Sequence, residues 1–380
     1  MLNQRAPLRE STQTPRPSQG STGAPTPIAM NHSFQPLAPH PQARIKWGYA
    51  LAQVPDLPAT WADAGDRTRL ENTKPRRNDL LIAQVELIGR HTRLDFADLS
   101  KSRLLEHDLV GLAFSPRYAT RQFEAIVPDS LDEVHFICAG GVCGQVVGVP
   151  SDMKLPTVVR PLGYLVDQVG QRVNLRDFAL PSCSDSVNGI DVVLVVGASM
   201  DSGKTTAAYS LVNGLSRRGL QTAAAKITGT ASAKDVNMLR DAGASRVLDF
   251  TNAGYASTSG LNQNELWSIA HTLMSQLAHD APDAIILEIA DGVTQRETMM
   301  LLDMFVQKGS LKGVLYTCND ALGVASGVSR LREYGLSVLA ISGTVTSSPL
   351  SIREAEQETD LPVLSSEALR TPNVVQQIGF

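Results

Sequence analysis

The stretch Asp191-Val-Val-Leu-Val-Val-Gly-Ala-Ser-Met-Asp-Ser-Gly-Lys-Thr-Thr206 decides how the rest of the chain is read. An apolar run of strand length, Val192 to Val196, leads into a loop of small and polar residues. Behind the loop, Ala207, Leu211 and Leu215 recur every four positions and predict a helix with one apolar face. A strand that turns sharply into a helix start gathers unpaired backbone N–H groups and the positive end of the helix dipole at one point, which suits a phosphate. The expected nucleotide contacts are Gly197, Ala198, Ser199, Met200, Asp201, Ser202, Gly203, Lys204, Thr205 and Thr206. Among them Gly203 lets the backbone approach the phosphates and Lys204 reaches the β- and γ-phosphates. Thr205 offers its hydroxyl to Mg2+, and Thr206 is a weaker phosphate contact. The spacing departs from G-x-x-x-x-G-K-[ST], because Ala198 stands where the first glycine belongs and Gly197 comes one position earlier. The competing reading of the same residues is a glycine-rich turn with a solvated lysine.

C-terminal to the loop, apolar runs alternate with helical spacing, the pattern of an α/β domain with a mostly parallel sheet. Strands are expected at Val192 to Val196, Thr222 to Ile227, Ala284 to Glu288, Lys312 to Thr317, Ser337 to Ile341 and Leu361 to Leu364. Ligands of such sheets bind at the C-terminal edge, which makes the strand ends informative. The second strand delivers Lys226, Thr228 and Thr230 there, and Lys226 suits an anionic acceptor or a transferring phosphoryl group. In Ala284-Ile-Ile-Leu-Glu-Ile-Ala-Asp-Gly292, Glu288 is the expected metal-associated carboxylate and Asp291 its alternative. Asn319 either hydrogen-bonds a nucleobase or caps the following helix. Asp235 and Asp241 are acceptor-side groups or a solvated helix face. The expected catalytic set is therefore Lys204, Lys226 and Glu288, and the expected metal set Thr205 and Glu288.

N-terminal to the loop, Leu81, Ala83, Val85 and Leu87 alternate with Gln84 and Glu86, the period of a half-buried strand. Short strand patterns follow at Leu109 to Phe114, Phe123 to Val127, Val134 to Cys138 and Gln145 to Val149. They predict a small β-rich, barrel-like domain over residues 76–181, ahead of a P-loop domain over 188–380. Arg90, His91, Arg93, Arg117 and Arg121 either line a ligand groove or form a solvated face. Residues 1–75 read as a disordered tail and lead-in: eight of the 21 prolines and a single acidic residue fall in the first 45 positions. The prolines there forbid the amphipathic helix of a transit peptide, and a start at Met30 in place of Met1 is an equal reading. Pro181 to Asn188 reads as a linker.

Bulk composition narrows the classes. Thirty-four Lys plus Arg against 38 Asp plus Glu leave a net charge of -4, which removes the electrostatic case for a nucleic-acid or anionic-membrane binder. No apolar run approaches the roughly 18 residues of a membrane span. The four cysteines include no Cys-x-x-Cys pair and read as reduced thiols of a cytoplasmic protein. The histidines show no metal-ligand spacing.

The segment from Val192 to about Leu364 resembles dethiobiotin synthetase and its relatives in the SIMIBI class of P-loop NTPases, which includes the molybdopterin-guanine dinucleotide biosynthesis adaptor. The likeness lies in Gly197 followed by five residues and then Gly203-Lys204-Thr205, with Lys226 closing the second strand. Glu288 to Gly292 closes the metal-side strand, and Asn319 follows a later one. It implies binding of ATP and Mg2+, GTP being an alternative, and phosphorylation of a carboxylate, carbamate or similar anion. The β-rich domain has no counterpart in that family, and the Gly-, Ser- and Thr-rich stretch Thr251 to Gly260 matches no substrate loop of it. Ser199 stands where the partitioning ATPases carry an extra lysine, which argues against their nucleotide-switched dimer and leaves a homodimer open.

The expected activity is thus kinase- or ligase-like phosphoryl transfer to an anionic small-molecule acceptor. Two alternatives are a nucleotide-gated binding or delivery protein and a P-loop protein that uses coenzyme A for acyl transfer.

Overall fold

A computed structural model describes residues 45–55, 68–69, 74–183, 187–309 and 311–380. The expectations for the tail, for Met30 and for Ser184 and Ser186 of the linker lie outside the described residues.

The first half is built on β1 (Lys46–Trp47), β2 (Thr68–Arg69), β3 (Leu80–Leu87), β4 (Arg93–Asp95), β5 (Lys101–Arg103), β6 (Leu109–Phe114), β7 (Glu124–Ile126), β8 (Val134–Cys138), β9 (Val142–Gly148) and β10 (Thr157–Leu165). Pairing runs β6-β3-β10-β8-β9 and returns from β9 to β6, so five strands close into a barrel. The alternation read from β3 sets its two faces. Leu81, Ala83 and Val85 join Leu112, Phe114, Phe136 and Tyr164 in the barrel's own cluster, whereas Leu80 and Ile82 point outward into the core shared with the second half. Strand β10 was not legible in the sequence because Pro161 interrupts it. The register slips between Pro161 and Gly163, a bulge that accommodates a residue without an N–H. Residues 45–55, which composition assigns to the lead-in, belong to the fold: β1 pairs with β6, and the turn Tyr49–Leu51 is buried.

The second half alternates β11 (Asp191–Gly197), α1 (Lys204–Arg217), β12 (Thr222–Lys226), α2 (Ala233–Asp241), β13 (Val247–Asp249), α3 (Gln263–Ala278), β14 (Ala284–Gly292), α4 (Arg296–Lys308), β15 (Gly313–Thr317), α5 (Ala321–Glu333), β16 (Val338–Ser342) and α6 (Pro349–Gln357). The sheet order is β13-β12-β14-β11-β15-β16 with every pair parallel. Val192 to Val196 are fully buried, as a central parallel strand covered on both faces requires. This is the α/β P-loop NTPase fold expected from the loop. Two details differ from expectation. The strand expected at Leu361 to Leu364 reduces to a single bridge between Ile341 and Val363, and β13 adds an edge strand of three residues, too short to show a period.

The two halves meet through polar contacts set in apolar surroundings. Tyr49 donates its hydroxyl to Asp249 Oδ2 at 2.8 Å, and the amide of Ala256 donates to Asn78 Oδ1 at 3.1 Å. Arg77 donates to the carbonyls of Ser257 and Ser259 at 3.2 and 2.6 Å. The backbone itself forms part of the contact, since a Cβ on Gly140 would stand 2.0 Å from the carbonyl oxygen of Ala231. Gly140 and Gly141 are therefore turn and contact glycines of the β8–β9 hairpin.

Candidate functional site

The loop between β11 and α1 has the shape its residues require. A Cβ on Gly197 would fall 2.2 Å from Ser202 Oγ, so the strand must end on glycine at that position. Gly203 has φ 96°, the left-handed conformation that glycine adopts without strain, and it precedes Lys204, the first residue of α1. Ser202 is buried and shares a hydrogen bond with Thr317 Oγ1 at 2.9 Å, while the Ala198 amide donates to the Thr317 carbonyl at 2.8 Å. The loop is thus held from below by β15. Lys204, 6% exposed, donates to the Ser199 carbonyl at 2.7 Å. Burial lowers its pKa from the ordinary lysine value, opposed by the negative charge of Glu288.

Next to it lies a chain of charged contacts. Thr205 donates its hydroxyl to Glu288 Oε1 at 2.8 Å, and Lys226 reaches the same oxygen at 3.4 Å and Asp235 Oδ2 at 2.6 Å. Burial would lower the pKa of Lys226, but Asp235 and Glu288 outweigh it and hold the amine charged. Glu288 is 1% exposed, and its Oε2 has no hydrogen-bond partner. A buried carboxylate oxygen left unpaired is costly unless a further charge belongs there. One free carboxylate oxygen beside a threonine hydroxyl at the mouth of a phosphate loop fits Mg2+, a hard cation that takes few protein oxygens and completes its shell with phosphate and water.

The barrel reaches over this site. Arg121 pairs with Asp201 at the apex of the loop at 3.5 Å, and Thr120 Oγ1 lies 4.0 Å from Met200 Sδ. Arg117, 8% exposed, donates to the Ile137 carbonyl, and its Nε has no partner. Tyr118 then forms one wall of a narrow cleft whose other walls are Thr228 to Thr230, Ser257 to Ser259, Asp291, Gln295 and Glu297. The Thr251 to Gly260 stretch, for which the sequence offers no role, supplies three of these residues. Of the barrel's basic residues, Arg90 and Arg121 line an open groove at the loop apex with Lys154, and Arg117 and His91 face inward. Burial and the charges of Arg117 and Arg90 push the His91 imidazole down to about 3.

The structure brings Lys204, Thr205, Lys226 and Glu288 together as the spacing suggests. It departs from expectation at Lys226, removes the capping reading of Asn319 and leaves Asp241 on a solvated helix face. Asn319 is exposed, and the helix cap is Asp320, whose carboxylate accepts from the Gly323 amide at 2.8 Å. Lys226 is engaged by Asp235 and Glu288 instead of projecting toward an acceptor, which also gives Asp235 its role. Asp241 sits exposed at the last turn of α2. Sequence reasoning missed Tyr118, Glu297 and Ser257 to Ser259, which converge only through tertiary packing. Their one sequence signal is the density of hydroxyl residues after β13.

No family model matches the chain, and no curated protein matches it. Solved structures similar to it include signal recognition particle 54 kDa protein from Aeropyrum pernix in complex with GDP, at 20% identity over 51% of this chain and 47% of that one, with a TM-score of 0.35. The signal recognition particle receptor FtsY from Elizabethkingia anophelis, in complex with GDP, is 16% identical over 53% and 68%, with a TM-score of 0.35. The kinase domain of the Escherichia coli tyrosine kinase ETK is 15% identical over 40% and 66%, with a TM-score of 0.31. This chain spans about half the length of the first. The P-loop fold stands on the sheet order and the loop geometry. No helix among the described residues is long and apolar enough to cross a membrane.

Proposed function

We propose that the chain is a Mg2+- and nucleotide-dependent enzyme that transfers the γ-phosphoryl group of ATP, with GTP as the alternative donor, to a small polar molecule. The observation that supports this reading most directly is the partnerless Oε2 of buried Glu288, beside Thr205 and Lys204. Thr205 and Glu288 would hold the metal, which when bound offsets the charge of the β- and γ-phosphates. Lys204 and the loop amides, fixed by β15, present positive charge where the transferring group carries negative charge, the positioning and electrostatic work that dominates such reactions. Lys226 holds Glu288 Oε1 in place, which makes it a positioning residue here. The test is acceptor-stimulated release of ADP by the full chain. A binding stoichiometry near one ATP per chain, strengthened by Mg2+, together with stimulation by at least one small acceptor, is expected; absence of ATP binding ends the proposal.

The Arg121–Asp201 pair supports a second reading, in which the nucleotide state is passed to the barrel as a gate. Slow hydrolysis that no small molecule accelerates and that a protein partner does accelerate would favour it.

A further inference from the structure

The two carboxylates that hold Lys226 do so unequally. Its ammonium lies 2.6 Å from Asp235 Oδ2 and 3.4 Å from Glu288 Oε1, so Asp235 attracts it more strongly. Glu288 Oε1 also accepts from Thr205 at 2.8 Å, and its Oε2 stays unpaired. Without Asp235, the largely buried amine would keep Glu288 as its ion-pair partner and close on it. A carboxylate drawn into a tight buried ion pair has less charge left to offer a second cation. The availability of Glu288 to a metal therefore depends on where Asp235 stands.

Asp235 stands in the first turn of α2, and that turn is fixed from the barrel. Ser232, the residue before the helix, makes no capping bond with its side chain. The cap comes from the other half of the chain: Asp95, the last residue of β4, accepts from the Ala233 amide at 3.3 Å through Oδ2. Asp95 is 2% exposed, and its own amide donates to the Ala139 carbonyl at 2.7 Å. Its ion-pair partner, Lys101 at 3.6 Å, is partly in solvent. Two further contacts flank the cap. Cys138 Sγ donates to the Ala231 carbonyl at 3.2 Å, and Asn237 Nδ2 donates to the Leu99 carbonyl at 3.3 Å. The unpaired amides and positive dipole end of a helix start favour a carboxylate there, so Asp95 both ties α2 down and orients it.

We infer that Asp95 is a positioning residue for the metal site: by capping α2 it holds Asp235 against Lys226 and so keeps Glu288 free for Mg2+. The inference rests on the placement of Mg2+ at Thr205 and Glu288 proposed above. It gives the barrel a part in nucleotide binding that needs no contact with the nucleotide.

The test measures ATP binding to the full chain by isothermal titration, in excess MgCl2 and in EDTA. The ratio of the two affinities is the Mg2+ gain. Asp235→Asn removes the charge beside Lys226 and should reduce the gain about 10- to 100-fold, as loss of a group that orients a metal ligand does. Asp95→Ala should reduce it about fivefold, the factor of a lost helix cap, with affinity in EDTA within twofold of the parent. That split marks an effect on the metal, because general loosening of the fold would weaken binding in both buffers alike. Asp95→Asn keeps an oxygen for the Ala233 amide and should keep the gain. Asn237→Ala, which cuts the neighbouring tie to the barrel, should act in the same direction as Asp95→Ala and takes its place should that variant not fold. A gain within twofold of the parent in Asp235→Asn, or in whichever barrel-tie variant folds, overturns the inference, as does equal weakening in both buffers. Loss of the gain in Asp95→Asn overturns the capping role. A parent with no Mg2+ gain overturns the metal placement as well.

Discussion

Replacing Lys204 with methionine separates the electrostatic part of the site from its packing, because methionine is unbranched and of similar bulk. In the free protein the ammonium is buried and has one neutral partner, the Ser199 carbonyl at 2.7 Å. A bound polyphosphate would give it charged partners in the same surroundings. A hydrogen bond to a charged group is worth about 1.5–3 kcal/mol, so Lys204→Met should weaken ATP binding about 10- to 150-fold. The pH dependence supplies an independent check. Burial lowers the free-state pKa of Lys204 below its ordinary 10.5, and the phosphates raise it in the complex. Well below the free-state value both forms are protonated and affinity is flat; as pH rises through that value, binding must take up a proton and affinity falls. The alkaline fall should therefore be present in the parent and absent in Lys204→Met. Isothermal titration with ATP and Mg2+ across neutral to alkaline pH measures both effects. Stability should not drop, since the substitution removes a desolvated charge, and urea unfolding of the free protein reads that separately. Affinity within twofold of the parent, or an alkaline fall that survives the substitution, would refute the placement of this amine against the phosphates.

Three other outcomes follow from packing. Tyr49→Phe removes the hydroxyl that Asp249 accepts, leaving a carboxylate 2% exposed with a missing partner, and should lower unfolding stability by about 1.5–3 kcal/mol in urea; an unchanged midpoint would count against the docking described for the two halves. Gly343→Ala puts a Cβ 2.3 Å from the Ser202 carbonyl at φ 100° and should both destabilise the chain and weaken ATP binding. Gly309→Ala, at φ 64° with open space around it, should lower the melting temperature slightly and leave binding intact, so equal binding losses in the two would contradict the loop contact. Of the four thiols, Cys183 alone should react rapidly with a maleimide under native conditions. Cys138, Cys143 and Cys318 are buried, and burial pushes Cys318 up to about 12; two or more fast-reacting thiols per chain would be inconsistent with that packing.

What could be read from residues alone divides along the range of the interactions involved. The loop from Gly197 to Thr205 was legible because its chemistry is local: the strand, the two glycines, the lysine and the helix start all lie within one short stretch. The strands β3, β6 and β8 were legible as short apolar runs, although both of their faces are largely buried and not one alone. Strand β10 was hidden by Pro161, and β13 by its length. The cleft was not legible for a different reason. Tyr118, Thr228, Ser257 and Asp291 come from four separate segments, and nothing in any one segment encodes that they meet. Asn319 and Asp320 show a smaller version of the same limit: either residue could cap the helix, and the backbone geometry that gives Asp320 the amide of Gly323 is set by β15 and α5 together.

The contact between Gly140 and Ala231 bears on how such a chain can be divided. Ala231 follows Thr230, a wall of the cleft, so the segment that shapes the cavity is braced by a backbone that belongs to the barrel. Cutting the chain near residue 188 would free that segment from its brace, strip Asp249 of Tyr49 and take away Tyr118. The second half is therefore not a cassette that can be moved between proteins with its packing intact. The phosphate loop, held by Thr317 and Gly343 of its own half, would survive such a cut, while the segment from Thr228 to Ala231 would lose the backbone it leans on.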